Sequence, residues 1–135
     1  MTGVTRVYET VLYAPDIAAT AAFYVDVLGL EPLEEPDELS AVFRLGDGVL
    51  LVFDPDRSSR PGRPVPSHGA SGAGHVAFSI EPGGYEAFAA RLPDRGVEIE
   101  QEIEWDEGGR SIYVRDPAGN SVELIDGEAW PQRSV

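Results

Sequence analysis

The chain contains no cysteine. Disulfides and thiolate chemistry are thereby excluded, and a metal ion would have to be held by histidine, aspartate or glutamate. Basic charge is scarce as well: 10 Lys and Arg stand against 24 Asp and Glu, for a formal net charge of −14. Such a surface repels phosphates and argues against a nucleic-acid partner, while it tolerates metals and cationic ligands. No apolar run approaches the ~20 residues that span a bilayer, so no membrane partner is expected. Met1 to Glu9 has no apolar stretch of the signal-peptide kind, and a cytoplasmic location is expected. What is present is a 135-residue chain of 42% hydrophobic residues, ordinary for one globular domain and too apolar for a disordered segment.

Tyr8 to Ala14 alternates as a first strand, with Thr10, Leu12 and Ala14 on one face and Glu9, Val11 and Tyr13 on the other. Asp16 stands at the N-cap of a helix predicted over about Ile17 to Leu28, with Ile17, Ala21, Tyr24 and Leu28 as its apolar stripe and Gly29 as its stop. A short extended piece at Leu33 to Glu35, strands at Ser40 to Leu45 and Val49 to Phe53, and a Gly46-Asp47-Gly48 hairpin turn complete a first module of about residues 6–55. Residues 56–71, rich in Pro, Gly, Ser and Arg, read as a long ordered loop or linker. The second module, about residues 72–127, opens with a strand in which Val76, Phe78 and Ile80 alternate with His75, Ala77 and Ser79. A helix with Tyr85, Phe88, Ala89 and Leu92 on its apolar face follows. Strands at Val97 to Ile103, Ser111 to Arg115 and Ser121 to Asp126 come next, and residues 128–135 form a tail.

Both halves therefore run strand, helix, strand, strand, strand. Glu9 to His75 is an offset of 66 residues, Gly29 to Gly96 is 67, and Leu51 to Glu123 is 72, which places an insertion near Trp105 to Gly109. A repeat of near-constant offset is an architectural signal. Each module is too small to cover its own sheet; two of them, paired within one chain or between chains, would enclose a cavity. The repeat superposes Glu9 on His75 and Leu51 on Glu123. Glu9, His75 and Glu123 then project from sheet surfaces toward a common interior, where two carboxylates without a cation would be costly. One imidazole and two carboxylates suit Fe, Mn, Ni, Co or Zn and leave coordination positions open for substrate. The competing readings are a core histidine bonded to backbone, a solvated Glu9, and a structural ion pair of Glu123 with Arg110 or Arg115.

Glu9-Thr-Val-Leu-Tyr-Ala-Pro-Asp16, Ala22-Phe23-Tyr24-Val-Asp-Val-Leu28-Gly29-Leu30, Gly74-His75-Val-Ala-Phe78 and Tyr113-Val-Arg-Asp116-Pro-Ala-Gly-Asn120-Ser-Val-Glu123-Leu together resemble the vicinal oxygen chelate superfamily. That group includes glyoxalase I, bleomycin and fosfomycin resistance proteins and extradiol dioxygenases. The resemblance covers nearly the whole chain. It implies an α+β fold of two βαβββ modules forming a cupped, mainly antiparallel sheet with helices outside. It also implies that first-strand and last-strand positions supply the metal ligands. Glu9 falls where many members carry His, His75 matches a His ligand, and Glu123 matches a Glu ligand. The fourth ligand place of glyoxalases is Leu51 here, so the four-ligand set is one short. The three remaining places are those used by extradiol dioxygenases, with Glu replacing one His.

The resulting expectation is a metal-dependent enzyme, a lyase or isomerase or else a dioxygenase, acting on a small substrate that chelates a divalent ion through adjacent oxygens. Glu123, Tyr113 and His68 are the candidate catalytic residues, Tyr113 because it shares a phase with Ser111 and Arg115, His68 because it precedes the His75 strand. Trp105 and Trp130 are candidates for a pocket lid or a dimer contact, and Arg110 and Arg115 are candidate anion binders. The alternative is a non-catalytic protein that sequesters an antibiotic or another small molecule. The superfamily commonly pairs modules across two chains, and a homodimer is expected.

Overall fold

A computed structural model describes residues 2–131; the end of the expected tail, residues 132–135, lies outside the described residues. The chain divides into two compact units at the Gly72–Ala73 bond, so residues 56–71 belong to the first. Among the described residues no helix is long and apolar enough to cross a membrane.

The first unit contains β1 (Glu9–Tyr13), α1 (Ile17–Ala22), β2 (Glu31–Pro32), β3 (Ser40–Leu45), β4 (Gly48–Phe53) and a short helix α2 (Pro55–Ser58). Its sheet has the order β1-β4-β3-β2, with β1 parallel to β4 and the other pairs antiparallel. Asp16 caps α1 as expected, its carboxylate accepting the Ala19 N–H at 3.0 Å. The helix does not continue as α to Leu28. A π-helical turn spans Phe23–Val27, and it brings Phe23, Tyr24, Val27 and Leu28 all into the buried layer. Gly29 then ends the helix at φ 75°, a backbone region that other residues avoid. The expected extended piece at Leu33 to Glu35 pairs two residues earlier, at Glu31–Pro32 opposite Arg44 and Phe43. Leu33 donates one last bond to Val42, and Pro36 has no N–H with which to extend the ladder. The core lies between α1 and the sheet, where Leu12, Ala41, Phe43, Leu50 and Val52 are buried. Alternation along the strands puts Glu9, Val11, Tyr13, Val49, Leu51 and Phe53 on the opposite face.

The second unit repeats the plan with β5 (His75–Ser79), α3 (Tyr85–Asp94), β6 (Gln101–Glu104), β7 (Arg110–Arg115) and β8 (Ser121–Asp126). Its sheet order is β5-β8-β7-β6, with β5 parallel to β8. Phe78, Ile112, Val114, Val122 and Leu124 are buried with Tyr85 and Leu92 of α3. The strand expected from Val97 begins only at Gln101. Continuing its register with β7, in which Gln101 opposes Tyr113, would set Val97 and Glu98 against Pro117 and Asp116, inside a turn where no ladder exists.

The two registers agree with the repeat. Glu9 pairs with Val49 as His75 pairs with Ser121, and Val11 pairs with Leu51 as Ala77 pairs with Glu123. Glu9 and His75 are thus equivalent positions of equivalent strands, as are Leu51 and Glu123.

Candidate functional site

The Asp116–Asn120 turn sets the second unit's site. The Asp116 carboxylate accepts the N–H groups of Ala118 and Asn120, both at 2.9 Å, and the Asn120 side-chain amide at 3.0 Å. Asn120 in turn accepts the Gly74 N–H at 2.8 Å through its side-chain oxygen, and Ser121 donates to the Gly74 carbonyl at 2.9 Å. Both side chains are buried. This clamp ties the start of β5 to the start of β8, and so places His75 beside Ser121.

His75 is then fixed at one ring nitrogen. Nδ1 lies 3.1 Å from the Ser121 carbonyl oxygen and 3.2 Å from its hydroxyl. A carbonyl only accepts, so Nδ1 donates and Nε2 is left as the nitrogen with a lone pair to offer a cation. That lone pair faces Glu123 Oε1 at 3.3 Å. Two electron-rich atoms at this separation require a proton or a cation between them. Ligand atoms about 2.1 Å from one metal ion stand roughly 3.0–3.4 Å apart at octahedral to tetrahedral angles, so the pair fits a divalent ion. The backbone anchor on Nδ1 is also the arrangement that orients a metal-binding imidazole.

Glu123 is buried, and its second oxygen is occupied: Ser111 donates its hydroxyl to Oε2 at 2.6 Å. Tyr113, directly across the ladder from Glu123, stacks on the His75 ring with centroids 6.3 Å apart and planes 18° from parallel. Burial first, and then the charge and hydrogen bond of Glu123, raise the Tyr113 pKa above the usual tyrosine value, so its hydroxyl stays protonated at neutral pH. The competing ion pairs do not form. Arg110 binds Glu86 at 3.1 Å and Arg115 binds Glu100 at 3.0 Å.

Each remaining candidate is placed within its own unit. Glu9 is exposed on β1 of the first unit. Among the described residues no group of three His, Asp or Glu side chains is gathered as a metal cluster. His68 is also in the first unit, half-buried, with Nδ1 2.7 Å from the Tyr13 hydroxyl and its ring edge-on to Phe53 at 4.7 Å. Its loop is held by Ser58, which donates to the His68 carbonyl at 2.7 Å and accepts its N–H at 3.0 Å. Trp105 is half-buried and donates to Ser111, while Trp130 is exposed. Tyr13 and Ser111 were not singled out as site residues in sequence. Strand alternation does put Tyr13 on the Glu9 face and Ser111 on the Tyr113 face, so period two was the available signal.

The sequence model of the Glyoxalase/Bleomycin resistance protein/Dioxygenase superfamily matches residues 6–124. The chain belongs to this superfamily. Its fold closely follows the crystal structure of a lactoylglutathione lyase from Agrobacterium tumefaciens, with 38% identity and a TM-score of 0.89 over 97% of this chain and 100% of that one. It is 30% identical over 138 aligned positions to a biphenyl-2,3-diol 1,2-dioxygenase 3 of Rhodococcus globerulus, covering 100% of this chain and 70% of the relative. A shorter match of 57 residues, 40% identical, covers 39% of this chain and 38% of a metallothiol transferase FosB of Shouchella clausii. The α+β fold inferred from sequence is thus the fold of this superfamily, with two four-stranded mixed sheets and, among the described residues, no closed barrel.

Proposed function

We propose that the protein is a metal-dependent enzyme whose small substrate chelates a divalent ion through adjacent oxygens. The observation that carries this reading is the His75–Glu123 pair: Nε2 and Oε1 face each other at 3.3 Å while Nδ1 is anchored on a backbone carbonyl. Glu9 is the proposed third ligand, because the strand registers make it the positional equivalent of His75. The ion, one of Fe, Mn, Ni, Co or Zn, would supply Lewis acidity to the substrate's oxygens.

The chain's own residues would hold and protonate. Glu123 balances positive charge and orients the site through Oε1. Tyr113, kept neutral by burial and by Glu123, offers a hydroxyl proton beside the carboxylate. His68, hydrogen-bonded to Tyr13, is proposed as a further substrate contact or proton relay. Similarity to proteins named as a lactoylglutathione lyase, a dioxygenase and a metallothiol transferase supports metal chemistry. The reaction class stays a lyase or isomerase, or a dioxygenase. The assembly proposed is a homodimer, to be checked by sedimentation.

Elemental analysis of protein purified without added metal tests the reading. One divalent ion per chain is expected in the parent, lost in His75→Ala and in Glu123→Gln. A metal-free parent that gains no ion from a Mn, Fe, Ni, Co and Zn panel would overturn it.

A further inference from the structure

Glu123 is not held by His75 alone. Behind it runs a chain of three side chains that starts in the turn between β6 and β7 and ends in the sheet. The Trp105 indole N–H donates to Ser111 Oγ at 2.8 Å, and Ser111 Oγ lies 2.6 Å from Glu123 Oε2. An indole nitrogen can only donate, so Ser111 accepts there; of the two acceptors near its own hydrogen, the Tyr113 oxygen and the Glu123 carboxylate, the charged one at 2.6 Å holds it. The 2.6 Å separation is that of a strong charge-assisted bond. Ser111 is fully buried, and Trp105 comes from the insertion that distinguishes the second half of the repeat from the first. That insertion is a tight turn, in which Trp105 donates to Gly109 and Gly108 donates to Trp105.

We infer that Ser111, backed by Trp105, is a positioning residue: it engages Oε2 so that Glu123 presents Oε1 alone toward His75 Nε2, as a one-oxygen ligand for a divalent cation. The inference rests on the metal reading above and deepens it, by naming what sets the carboxylate's angle. It also assigns a purpose to the Trp105 turn. Because the indole is two hydrogen bonds from Glu123, its environment changes when a cation draws charge from that carboxylate.

The test uses full-length protein carrying Trp130→Phe, which leaves Trp105 as the sole indole, with Mn²⁺ as probe. Affinity and stoichiometry are read by calorimetry and emission by fluorescence. The parent is expected to bind one Mn²⁺ per chain and to shift its emission on binding. Ser111→Ala should weaken binding about 10- to 100-fold at unchanged stoichiometry and abolish the emission response. Trp105→Phe keeps the ring and loses the donor, and should weaken binding by a smaller factor. The double variant should bind no more weakly than Ser111→Ala, since Trp105 acts through Ser111. Should Ser111→Ala not fold, Trp105→Phe in folded protein decides by its Mn²⁺ affinity. Parent-like affinity in the folded variants, with binding still abolished by His75→Ala, would overturn the positioning role while leaving the metal site intact. Binding that is absent from the parent, or indifferent to His75→Ala, would remove both.

Discussion

Single side chains carry the site, and two others show what the same fold leaves unpaired or overpaired. The Thr20 hydroxyl is buried in α1 and has no hydrogen-bond partner among the described residues. Replacing it by the isosteric, apolar valine removes a desolvated donor, so Thr20→Val should stabilise the protein by about 1 kcal/mol in denaturant melts. Tyr85 is the reverse case. It donates to Glu102 at 2.5 Å with Arg110 stacked 3.8 Å above its ring, and burial, then Glu102, push its pKa from 10.0 up to about 12. The neutral phenol is therefore favoured by the fold. The associated stability is complete below pH 10 and is lost as pH rises through about 12. Ultraviolet titration should show one tyrosine ionising near 12, absent in Tyr85→Phe. At this scale the sequence named His75 and Glu123 from their positions in alternating strands. It did not name Ser111, because one small hydroxyl in a strand has no distinguishing pattern until a carboxylate is seen beside it.

Among the elements, two turns do most to aim the site. The Asp116–Asn120 turn clamps β5 to β8 through Asn120 and the Gly74 N–H. Asn120→Ala removes the acceptor of that N–H and one donor to Asp116 Oδ2. It should cost about 1–3 kcal/mol and raise hydrogen exchange at the start of β5 before it does so in β7. The Trp105–Gly109 turn depends on close backbone approach: a Cβ on Gly109 would lie 2.6 Å from backbone atoms of Glu128. Gly109→Ala should therefore destabilise by about 1–3 kcal/mol, with a change in Trp105 emission. The Asp116 turn was legible as Pro and Gly at turn positions. The late start of β6 was not, because Val97 to Gln101 alternates well enough as sequence, and only the register with β7 shows that its partner has already turned away.

For the whole molecule, the net charge acts on stability, and the proposed metal would act on it in a separable way. A net charge of −14 repels itself, and added salt should raise the melting temperature by screening, in the parent and in His75→Ala alike. The proposed divalent ion would add to this by mass action, about 2.7 kcal/mol at a hundredfold excess over its dissociation constant. That second increment should vanish in His75→Ala and on chelation. An equal metal response in the two proteins would show diffuse counter-ion binding to the acidic surface.

The superfamily resemblance implied the class of fold, and the sequence by itself determined the order of elements, the duplication and the equivalence of Glu9 with His75 and of Leu51 with Glu123. These follow from hydrophobic periodicity and spacing, which are local properties repeated along the chain. Only the tertiary structure decided which nitrogen of His75 points at Glu123, which oxygen of Glu123 is already engaged, and that Arg110 and Arg115 bind other carboxylates. Those outcomes depend on hydrogen bonds between strands brought together from 46 and 12 residues away, and direction at that range is not encoded in any local pattern.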